Sequence, residues 1–178
     1  MNTRRHILLT GEIQIGKSTA IRRFLAESGL TADGFMSHIA DAANGRELYI
    51  ARYDSKRGET ERGLAARVRF PDFEVYAEVF DGLGAQIIKD AGQREIIVID
   101  ELGRMEEVCE VFKAAVFEKL GGSVPIVGVV KDADCAFLDA VRAHPNVEII
   151  TVTRENRDGI PSRILEGINV HSATAFKK

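Results

Sequence analysis

The 178-residue chain has no tryptophan, two cysteines, four prolines and three tyrosines. Cys109 and Cys135 each sit in an apolar stretch without metal-ligand spacing, so they cannot build a disulfide framework and read as buried free thiols of a reducing compartment. With so few prolines and no internal repeat, collagen-like and low-complexity classes are excluded. No apolar run approaches the ~18 residues that a membrane span requires. Behind the basic start Met1-Asn2-Thr3-Arg4-Arg5-His6, the run Ile7-Leu8-Leu9 is far shorter than an export segment of roughly 7–15 residues. A soluble, cytoplasmic protein is expected. Charge of one sign is also missing: 24 basic against 27 acidic residues leave a net −3, a poor balance for a protein that must neutralise nucleic-acid phosphates.

What is present is ordinary for a globular chain, with 45% hydrophobic and 29% charged residues, and the length suits one domain. Ile7–Thr10 reads as a buried strand and Ser18–Ser28 as a helix with Ala20, Ile21, Phe24 and Leu25 on its inner face, stopped by Gly29. From Gly34 to Tyr76 the texture changes. Short β-rich pieces (Phe35–Ile39, Glu47–Tyr53, Leu64–Phe70) alternate with turn clusters, which predicts hairpins inserted into the main fold. Helical spacing returns at Phe80, Leu83, Ile87, Ile88 and Ala91, then again at Met105, Val108, Cys109, Phe112, Val116 and Leu120. Buried strands are expected at Glu95–Ile99, Pro125–Val130 and Val147–Val152, with a helix over Ala133–His144 and a short one over Pro161–Gly167. Buried strands alternating with helices imply an α/β fold: a mainly parallel sheet, helices on both faces, and a β-hairpin insertion at about 34–76. In such a sheet ligands gather at the carboxyl ends of the strands, here the turns after Thr10, Ile99, Val130 and Val152.

The first of these turns, Gly11-Glu12-Ile13-Gln14-Ile15-Gly16-Lys17-Ser18, is a complete G-x-x-x-x-G-K-[ST] P-loop, with Thr19 following on the helix. Its backbone N–H groups and the helix N-terminus suit a β-phosphate, Lys17 suits the β- and γ-phosphates, and the Ser18 hydroxyl suits Mg²⁺. After the second strand come Asp100 and Glu101. Asp100 is placed to hold Mg²⁺, and Glu101 to orient and deprotonate a water attacking the γ-phosphate. The last turn carries Arg154, Asn156 and Arg157: the amide can meet a base edge, and an arginine can stack on a base or reach phosphate. Other polar features point elsewhere. His6, His38, His144 and His171 share no ligand spacing, Arg62, Arg67 and Arg69 read as a solvated hairpin face, and Lys131-Asp132 belongs to no Asn-Lys-x-Asp guanine motif.

Three blocks together resemble the THEP-type nucleoside-triphosphatases, also called cancer-related NTPases. They are Gly11–Ser18, Asp100-Glu101-Leu102-Gly103-Arg104-Met105-Glu106, and Thr153-Arg154-Glu155-Asn156-Arg157, and Gly34-Phe35 matches the G-F that opens the family's β insertion. The chain departs from the family where Met36-Ser37-His38 replaces a threonine-acidic pair, and where an arginine-glycine-phenylalanine run survives only as Gly45-Arg46-Glu47-Leu48-Tyr49. The resemblance implies a P-loop NTPase (RecA-like) fold and Mg²⁺-dependent hydrolysis of nucleoside triphosphates, ATP and GTP among them, to diphosphate and phosphate. By matching position, Lys17, Ser18, Asp100 and Glu101 take the phosphate, metal and catalytic roles. Two alternatives remain open at this stage: a small-molecule or nucleotide kinase with its acceptor on the insertion, and a slow nucleotide-dependent accessory protein.

Overall fold

The computed structural model describes residues 5–69 and 71–168. The basic start Met1–Arg4, the strand end expected at Phe70, and His171 lie outside the described residues. Eight strands form one sheet in the order β5-β4-β3-β2-β6-β7-β1-β8. They are β1 His6–Thr10, β2 Ala32–Ala42, β3 Gly45–Asp54, β4 Gly58–Arg69, β5 Asp72–Val75, β6 Ile96–Leu102, β7 Ile126–Val130 and β8 Val147–Thr151. β2, β6, β7, β1 and β8 run parallel; β3, β4 and β5 extend the sheet antiparallel from β2.

Alternation along the central strands sends side chains to two cores. Ile7, Leu9, Ile96, Val98, Val127 and Val129 pack on one face against α1 (Lys17–Ser28) and α6 (Ile160–Gly167). Leu8, Ile97, Ile99, Ile126 and Val130 pack on the other, against α3 (Ala85–Asp90), α4 (Glu110–Leu120) and α5 (Ala136–Arg142). The inner residues expected for α1 are the four buried ones, and Gly29 caps it by donating its N–H to the Leu25 carbonyl at 3.1 Å. His6 is fully buried between the faces: Nδ1 accepts from the Ile126 N–H at 3.1 Å, and Nε2 lies 3.0 Å from the Leu120 carbonyl oxygen.

Three expectations need correction. The β-rich stretch is not simply attached to the main fold, because Ala32–Met36 pairs in parallel with β6 while Asp33–Ala42 of the same strand pairs antiparallel with β3. The strands there are also longer than the apolar pieces that announce them, since hairpin pairing carries them into polar residues. Second, the helix expected from Met105 to Leu120 is broken at Cys109: Arg104–Val108 is a 3-10 turn and Val108 is exposed. Glu106 turns inward at the start of that 3-10 turn and accepts the Gly103 N–H at 3.1 Å. Likewise the helix through Phe80 opens with α2 (Ala77–Val79), followed by a wider π turn over Phe80–Gly84. Third, Cys109 is buried, whereas Cys135 is only half-buried; both are free.

Candidate active site

The P-loop leaves β1 and turns into α1. Its first residue, Gly11, has φ +131, and a Cβ there would stand 2.5 Å from the Val152 carbonyl oxygen, so only glycine lets the loop start so close to the end of β8. Ile15 is buried and anchors the loop, while Ile13 at its tip is 90% exposed. Lys17 Nζ donates to the Gly11 carbonyl at 2.8 Å and to the Glu12 carbonyl at 2.6 Å, which folds the ammonium over the loop. Burial pulls Lys17 below the ordinary lysine range, against the opposing charges of Glu101 and Asp100.

Asp100 and Glu101, expected in a turn after Ile99, instead lie within β6 near its carboxyl end and meet the P-loop directly. Ser18 Oγ donates to Asp100 Oδ1 at 3.1 Å, across 82 residues of sequence. Asp100 is 6% exposed, and burial, reinforced by the Glu101 charge, holds its carboxyl above the usual aspartate range. Among the described residues its carboxylate bonds to that hydroxyl alone, so the pair forms a hard-oxygen donor set in a place where a divalent cation would relieve a buried acid. Among the described residues no group of three or more His, Cys, Asp or Glu could hold a metal ion by itself.

Lys17, Ser18, Thr19 and Glu101 line one cleft of about 810 Å³ together with most of the P-loop backbone. Glu101 is fixed from two sides: its N–H donates to Ser37 Oγ at 3.3 Å, and its Oε1 lies 2.8 Å from Lys131 Nζ. Ser37, Ile39, Arg46 and Leu48 bring the insertion strands into the same cleft, opposite the P-loop. Of the two stretches at which the chain departs from the family pattern, Ser37 from the first and Arg46 and Leu48 from the second line the cleft.

Of the residues expected at the site, Gly11–Thr19, Asp100 and Glu101 are brought together. The last turn is not part of this cleft. Arg154, Asn156 and Arg157 are exposed, and the Asn156 amide, expected to meet a base edge, is used on its own loop: Oδ1 accepts the Thr153 N–H at 2.8 Å and Nδ2 donates to the Thr151 carbonyl at 2.9 Å. Lys131, Ser37, Arg46 and Glu106 were missed as cleft residues. Lys131 did carry a signal, since it is the first residue after a buried strand at its carboxyl end.

The family model described as NTPase matches residues 6–165. The nucleoside-triphosphatase THEP1 of Methanosarcina acetivorans is 30% identical, over 89% of this chain and 93% of that protein. The human cancer-related nucleoside-triphosphatase is 29% identical, over 86% of this chain and 91% of its own. Among solved structures, THEP1 from the hyperthermophile Aquifex aeolicus superposes with a TM-score of 0.69 at 24% identity, covering 92% of this chain and 99% of that one. The solution structure of a human cancer-related nucleoside triphosphatase gives 0.69 at 25% identity, covering 94% and 98%. With a P-loop joined to a buried acidic strand end, and a family match that runs through nearly all of it, this chain belongs to the THEP-type nucleoside-triphosphatase family.

Proposed function

We propose that the chain hydrolyses nucleoside 5′-triphosphates, ATP and GTP among them, to diphosphate and phosphate, with Mg²⁺ as cofactor. The observation that carries this reading is the 3.1 Å link from Ser18 to Asp100, which ties the phosphate loop to a strand end whose next residue, Glu101, faces the same cleft as Lys17. The loop N–H groups of Gly11–Thr19 and the start of α1 bind the phosphates, and Lys17 neutralises them. Ser18 and Asp100 would hold Mg²⁺, which when bound supplies charge neutralisation to the phosphate oxygens. Glu101 accepts a proton from the attacking water as its oxygen bonds to the γ-phosphorus and the bond to the bridging oxygen of the diphosphate breaks. Arg157 remains the candidate for the nucleoside side of the ligand, with Asn156 shaping the loop that presents it.

A kinase would need an acceptor resting on the insertion, and Ser37 and Leu48 do line the cleft. Phosphate release from triphosphate and water alone decides between the two. ATP, GTP, CTP and UTP should each release phosphate with Mg²⁺ and no acceptor, and EDTA should abolish release. Release only when an acceptor is added would overturn the hydrolase reading. No helix among the described residues is long and apolar enough to cross a membrane. The two free thiols support a cytoplasmic location.

A further inference from the structure

The order β6-β7-β1 places one strand between the phosphate-loop strand and the strand that carries Asp100 and Glu101 near its carboxyl end. Whatever residue leaves β7 must emerge between the P-loop and the acidic pair, and that residue is Lys131. Its backbone is held from both sides. The Lys131 N–H donates to the Leu102 carbonyl at 2.9 Å, and its carbonyl accepts from the Arg142 guanidinium, which also donates to the Ala133 carbonyl at 3.0 Å. The stem passes over Gly103, where an added Cβ would stand 3.3 Å from Lys131 Cδ. From this mount the ammonium reaches Glu101 Oε1 at 2.8 Å, with 40% of the side chain still accessible. Its charge is felt at Lys17, so two cations share one cleft.

We infer that Lys131 is the γ-phosphate-sensing residue of this site: it rests on Glu101, and a triphosphate draws it onto the terminal phosphate, freeing Glu101 for the water. The assignment rests on the proposed nucleotide reading of the cleft. A half-exposed pair with a single carboxylate is weakly held, whereas a charge-assisted bond to the more highly charged terminal phosphate in the same cleft is stronger, so the exchange runs in the direction stated. A diphosphate lacks the terminal group and leaves the lysine on Glu101. Lys131 therefore distinguishes triphosphate from diphosphate, a discrimination that Lys17, placed to reach both phosphates, does not make alone.

The test compares the parent with Lys131→Met and Lys131→Arg, measuring the affinities of ADP and of a non-hydrolysable ATP analogue with Mg²⁺. In Lys131→Met the analogue should bind roughly 10- to 100-fold more weakly while ADP binds within about twofold of parent. Lys131→Arg should restore most of the difference. Unchanged ADP binding also shows that the variant is folded. Equal loss of both ligands, or loss of neither, overturns the assignment, the first by making Lys131 structural and the second by making it idle. Failure of the underlying reading looks different: the parent itself would bind neither ligand in a way that Lys17→Ala abolishes.

Discussion

At Glu106 a carboxylate that the sequence presents as one of several acids after a strand is turned into the protein, 3% exposed, where it accepts the Gly103 N–H. Burial raises its pKa to about 7, although Lys131 and the Gly103 N–H pull the other way. The folded state therefore holds a proton that the unfolded chain releases above about pH 4.5, and stability falls as pH rises from there to about 7. A shift of that size corresponds to on the order of 3 kcal/mol. Glu106→Gln keeps an acceptor for Gly103 and removes the titration. In urea unfolding the variant should gain on the parent steadily across that pH window and be the more stable protein at pH 8. Parallel curves for the two proteins would contradict the assignment. His6 acts in the opposite sense, because burial lowers its pKa from 6.5 and stability is lost as pH falls below that value, so the difference between variant and parent is the quantity to read.

Among the elements, β2 carries two kinds of pairing: parallel to β6 through Ala32–Met36, antiparallel to β3 along nearly its whole length. The close approach to β6 depends on Gly34, whose φ is +148 and at which a Cβ would lie 2.0 Å from the Val98 carbonyl oxygen. Gly34→Ala must push β2 off β6 and should cost on the order of 3 kcal/mol or more, read as a lower urea midpoint, with phosphate release falling too because Ser37 is displaced from Glu101. A midpoint equal to the parent's would contradict the tight pairing. This strand also marks where the sequence stops being legible. The helix α1 is announced by four apolar residues at helical spacing and a glycine stop, all local signals. The pairing of Ala32–Met36 with a strand some sixty residues later has no local signal, and Gly34-Phe35 reads as the start of an insertion although it lies within a core strand. The break at Cys109 was equally hidden, because no glycine or proline marks it in the sequence.

In the molecule as a whole, two apolar cores clamp the sheet and leave its carboxyl edge to carry the chemistry. The P-loop and the Asp100-Glu101 pair were legible because their spacing rules are short and their strands are strongly apolar. The place of Lys131 was not, since it follows from strand order, and neither was the withdrawal of Asn156 into its own loop, since a side-chain amide can serve a base or a backbone equally well. The insertion adds Ser37 and Arg46 to the cleft, one from each stretch in which this chain departs from its family's pattern. The whole arrangement turns on one claim, that Glu101 acts on water and not on nucleotide binding. The most direct measurement sets Mg²⁺–ATP affinity beside single-turnover hydrolysis for the parent and Glu101→Gln. The variant should bind about as tightly as the parent and hydrolyse at least ~100-fold more slowly, whereas Asp100→Asn should lose metal binding that high Mg²⁺ partly restores. Hydrolysis by Glu101→Gln at the parental rate would contradict the mechanism.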